Sequence, residues 1–150
     1  PYSQKPPEGR SIAEILLLLD HAQLSYYRPI MEEAFKSPRP THLGQYEHYS
    51  DTFVADQDRL SDIQRILSKI AKHRAGLVNA MKNIPLIDWE ITLYRDDEEL
   101  LLFDFMKEMI RLDRTKLKEI ADRVLVHTQD ARAMRELDQR QAQRNQQPDN

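Results

Sequence analysis

A chain of 150 residues with 40% hydrophobic content suits one domain, and a net charge of -3 gives no global positive field of the kind that draws nucleic acid or anionic lipid. Three glycines are too few for a turn-rich β-sandwich or a glycine-loop nucleotide fold, and the absence of cysteine excludes disulfides, thiolate catalysis and cysteine-ligated zinc. The 31% charged fraction suits long solvated helices, so the expected fold class is all-α: an elongated helical bundle with a long, coiled-coil-like C-terminal helix.

Residues 1–10 hold three prolines and a glycine and read as an extended arm. Ser11 and Glu14 then form an S-x-x-E capping box, in which each side chain satisfies a free backbone N–H at a helix start. The first helix is placed at 11–36, with Ile12, Ile15, Leu16, Leu19, Tyr26 and Ile30 at helical spacing. Pro29 lacks an N–H and crowds the preceding turn, so a kink is expected there. The apolar run Ile15 to Leu19 is five residues long, far short of the ~20 that span a bilayer. With no signal-peptide pattern before it, the chain reads as soluble and intracellular, in the cytoplasm.

Pro38 and Pro40 end that element, and an aromatic, histidine-bearing connection follows. Phe53, Leu60, Ile63, Leu67, Ile70 and Leu77 recur at heptad-like spacing, which places a second helix at 51–83, stopped by Asn83 and Pro85. Ser61 with Gln64 is a second capping-box match and offers a later start. Residues 86–94 alternate apolar and polar, as a strand does. With no convincing partner strand in the sequence, the expected form is an irregular or short helical connector, and a self-pairing strand is the alternative.

The acidic run Asp96 to Glu99 suits the positive end of a helix dipole and sets the start of a third helix, placed at 96–140. Residues 141–150 read as a disordered polar tail, leaving 11–140 as a single helical domain. A helix of that length is about 67 Å long, whereas a compact globule of this size is about 38 Å across. It must therefore project, break or pair outside the chain. The second helix is expected to run antiparallel against it, with the first helix as a brace.

Phe103, Ile110, Leu117, Val124 and Ala131 form one heptad row of the third helix, and Met106, Ile120 and Met134 the other. Asp113 and His127 interrupt the second row, as Arg74 interrupts the seam of the second helix. Three accounts are open. The polar residues reach water at wet edges of the bundle, Asp113 meets Arg74 across the helix pair, or antiparallel association brings Asp113 of one copy to His127 of another. The first is the simplest.

Catalytic signatures are missing: no E-x-x-H pair, no H-E-x-x-H, no phosphate loop. His42 and His48, with Glu47 and Asp51 nearby, are read as covering residues and not as metal ligands; Asp104 and Glu108 are read as solvated helix partners and not as a magnesium pair. No metal, cofactor or small-molecule substrate is expected, and no enzymatic activity. The expectation is a helical assembly or adaptor protein contacting a second copy or another helical protein through Leu117, Ile120, Val124, His127, Ala131, Met134 and Leu137. The alternative is a phosphate-surface binder, for nucleic acid or anionic membrane, using Lys69, Lys72, Arg74 and Lys82.

Overall fold

A computed structural model describes residues 2–5 and 9–146. The architecture is mostly helical, with a small three-stranded sheet at one end. Helix α1 (Ile12–Ala22) starts where the capping box places it, with the Ser11 hydroxyl accepting the Glu14 N–H. Eight of its residues are buried, so it is a central element and not a brace. The stretch does not break before Pro29. A π turn, Gln23–Tyr27, carries α1 into α2 (Arg28–Lys36), with the Arg28 N–H reaching back to the Gln23 carbonyl. The wider turn gives the proline ring room, and it swings Gln23 into the interior.

Next come β1 (Thr41–His42) and the single turn α3 (Tyr49–Thr52), which His48 caps. The expected second helix does not begin at 51. Its first third is mostly a loop, 53–62, and helix α4 is Ile63–Lys82, capped by Asp62 through the Arg65 N–H. Leu60 is buried from within that loop, where Ser3 donates to its carbonyl at 2.6 Å, so its spacing to Ile63 mimicked a helix.

The all-α expectation is corrected at residues 86–101. The expected short helical connector is present as a 3₁₀ stretch, Leu86–Glu90, which holds Ile87 and Trp89, and only the end of the alternating segment enters a strand, β2 (Thr92–Arg95). It pairs antiparallel with β3 (Glu98–Leu101) and parallel with β1. Asp96, expected to cap a helix, instead takes a left-handed φ of 54° in the two-residue hairpin loop. Helix α5 therefore starts at Leu102 and runs to Gln146. Residues 141–146 of the expected tail are thus helical, and 147–150 lie outside the described residues. Its 45 residues give a length of about 67 Å.

Helix α1 lies between its neighbours: α4 and α5 both pack on it, while α4 and α5 scarcely approach each other. The larger core joins the π turn and α2 to the start of α5 and the sheet, around Tyr27, Ile30, Met31, Leu93 and Phe105. A smaller core joins Ile12, Ala13 and Leu16 to Leu60 and Ile66. The arm is fastened to the body, because the Tyr2 carbonyl accepts the Ala13 N–H at 2.9 Å and Lys5 pairs with Glu14.

Candidate partner-binding surface

The two intruders in the helical seams meet each other. Arg74 of α4 donates from Nη1 and Nη2 to the two Asp113 carboxylate oxygens of α5 at 2.6 and 3.0 Å. Its Nε donates to Gln23 Oε1 at 2.6 Å. Gln23, which the π turn buries to 1% exposure, donates in turn to Asp20, and Asp20 binds His73 Nδ1 at 2.8 Å. One connected polar chain, His73–Asp20–Gln23–Arg74–Asp113, thus ties the three long helices together. It answers why a carboxylate sits where a leucine is expected, because Asp113 is the charged acceptor of the Arg74 guanidinium that reaches across from α4. The wet-edge account of Asp113 is replaced by this intrachain pair. The intermolecular account loses its carboxylate for the same reason.

With Asp113 turned inward, the two heptad rows of α5 separate. Met106 and Ile120 face the body beside Asp113. The other row faces out: Phe103 is 52% exposed, Ile110 43%, Leu117 54% and Val124 43%. Of the residues expected to bind a partner, Leu117, Val124, Ala131, Met134 and Leu137 are exposed. Ile120 packs against the α1 core, and His127 is half-buried in a hollow with Ile12 and Lys5. Val124 and Ala131 border a second hollow under Tyr2. From residue 128 to 146 every position is exposed, and beyond Arg135, which lines the hollow by Tyr2, about 16 Å of helix stands clear of the body.

The alternative basic residues do not converge. Arg74 is committed to Asp113 and Gln23. Lys69 lines a hollow that also holds Asp20, Asp58 and Asp62. Lys72 and Lys82 are ten residues apart on α4, about 15 Å along the helix and roughly 80° apart around it.

An aromatic and ionic cluster, which the sequence reading missed, fixes the root of α5. Arg95 of β2 chelates Glu108 with two bonds of 2.7 Å, and that hydrogen bonding holds the guanidinium above its usual range. Tyr26, Tyr27, Tyr49 and Phe105 pack beside it. Burial, and then the neighbouring Tyr49, push the Tyr27 hydroxyl up. Arg95 gave no periodic signal, since it belongs to a strand hidden behind the acidic hairpin. Glu108 is therefore engaged by an arginine. His42 stacks on Tyr94, and among the described residues no group of three or more His, Asp or Glu is placed to hold a metal ion.

What the described part of α5 offers is apolar area along one continuous helix. Comparison of the chain with protein-family models, curated proteins and solved structures gives no match.

Proposed function

We propose that the chain is a non-enzymatic helical assembly or adaptor module. It makes coiled-coil-type contacts, self-association included, through the exposed apolar side chains of α5. The single observation that supports this reading is the free end of that helix. A helix packed against nothing draws its stability from intrinsic propensity alone, which is marginal for short segments in water. Residues 128–146 nevertheless continue α5 without a break, with Met134 61% and Leu137 53% exposed. A second helix laid along these residues removes apolar surface from water and gives the extension the packing it lacks.

Sedimentation equilibrium over a range of concentrations tests the self-association. The expected result is a mass above the 17.7 kDa of one chain that falls to one chain in a Met134→Glu/Leu137→Glu variant. A single-chain mass at every concentration, unchanged in the variant, refutes it.

A further inference from the structure

The gap between α4 and α5 is itself a groove. On α4, Leu67, Arg74 and Met81 recur every seven residues. Arg74 bonds Asp113, and Met81 lies with Met106 in one hollow, so this row faces α5. The next row out is Ala71 and Val78, both exposed. On α5 the floor row is Met106, Asp113 and Ile120, and the outer row is Phe103, Ile110 and Leu117. Two apolar edges thus run side by side above a floor sealed by the Arg74–Asp113 pair. At the sheet end the groove deepens to about 280 Å³ between Met81, Leu86 and Trp89 on one wall and Phe103 and Ile110 on the other. Its length matches the 20 residues of α4, about 30 Å.

The rim decides the occupant. Lys107, Arg111, Arg114 and Lys118 follow the outer flank of the α5 edge, and among the described residues none of them takes part in an ion pair. Lys107 lies over the Phe103 ring at 5.0 Å. Lys82 adds a cation at the end of α4. Asp104 opens the α5 flank, and no acid follows it in the rows of Lys107 and Arg111. A concave, apolar channel with a cationic lip fits an amphipathic helix whose apolar row is flanked by Glu or Asp. The free end of α5 from a second copy does not match, because residues 128–146 carry Arg132, Arg135, Arg140 and Arg144 against three acids. A bilayer is flat and cannot follow a channel between two helices.

We infer that the α4–α5 groove is a docking site for an acidic amphipathic helix of another protein. This rests on the adaptor reading above and shares Leu117 with the self-association surface, but Phe103, Ile110 and the basic rim lie apart from the Met134 and Leu137 positions at which self-association is tested. The test uses three synthetic peptides matched in length to α4: one with an apolar i, i+3, i+7 row flanked by Glu, one with the same row flanked by Lys, and a scrambled Glu peptide without the row. The full chain should bind the first about tenfold more tightly than the second, from several rim pairs of modest strength each. Ile110→Glu should abolish that binding, and Arg111→Glu/Arg114→Glu/Lys118→Glu should reverse the preference toward the Lys peptide. All these positions are exposed or half-exposed, so both variants should melt as the parent does. Equal affinity for the Glu and Lys peptides, no binding of either, or equal binding of the scrambled peptide overturns the inference. So does displacement of the Glu peptide by phosphatidylserine vesicles, which would assign the face to a membrane. Sedimentation of Met134→Glu/Leu137→Glu reads the self-association separately, so either idea can fail alone.

Discussion

Removing the Asp113 carboxylate is the sharpest test of how the three long helices are held. In Asp113→Ala the Arg74 guanidinium keeps Gln23 as its partner but loses both charged acceptors. Breaking a fully buried pair from one side costs about 3–5 kcal/mol, and an exposed pair contributes about 0–1. The side chains here are 32% exposed for Arg74 and 17% for Asp113, which places the loss between those limits. We expect about 2 kcal/mol, or a fall of roughly 4–8 °C in Tm for a domain of this size. Urea unfolding followed by circular dichroism, with the slope held constant, reads the difference. The double variant Arg74→Met/Asp113→Leu should regain only part of the loss, because Gln23 Oε1, deep in the core, then has no donor from Arg74. A change below about 0.5 kcal/mol in Asp113→Ala would mean that the pair is a surface ornament and would refute the locking role.

At a concentration where the chain is a monomer, truncation after His127 should leave the melting temperature nearly unchanged, because every residue from 128 to 146 is exposed; a large fall there would show that the free end packs on the body. Tyr27→Phe should flatten the alkaline loss of stability. The folded hydroxyl is raised above the unfolded value of about 10, so its contribution is complete below that pH and is lost as pH climbs toward the folded value. Urea midpoints at pH 8 and above pH 10 check it, and parallel curves for parent and variant count against it. Asp96→Gly should stabilise by about 0.5–1 kcal/mol, since glycine adopts the left-handed φ of the hairpin without steric cost; a loss of that size would point to an unrecognised role for the carboxylate.

The helical elements were legible where pattern and cap agreed. Ser11 with Glu14 marked the start of α1, and the length of the last helix followed from an uninterrupted sequence with no Pro or Gly. The sheet was hidden for two reasons. Its edge strand, Thr41–His42, is too short to alternate. Its other partner, Glu98–Leu101, reads as the acidic first turn of a helix, when the acids in fact belong to a hairpin. The start of α4 was misplaced because Leu60 is buried from a loop, and burial alone does not distinguish loop from helix. The two polar interruptions, Arg74 and Asp113, gave a correct pairing as one of three accounts. Which account held depended on the separation of α4 and α5, a quantity no single helix pattern encodes. The groove between those helices was invisible for the same reason, although Leu117 and Ile120 at its lower end were named.

The order of the helices along the chain has a consequence for biosynthesis. The greasiest helix, α1, emerges from the ribosome well before the surfaces that cover it. Its hydrogen-bonded partners, such as His73 for Asp20, lie 53 residues downstream, and Ile120 comes later still. At about 5–20 residues per second, the segment Ile12–Ala22 stays uncovered for roughly 5–20 s before α5 is made. Stalled nascent chains ending before α4 should accordingly be cut by protease within α1, and chains extended through α5 should resist. Equal cleavage of both would mean that the early helix finds cover on its own.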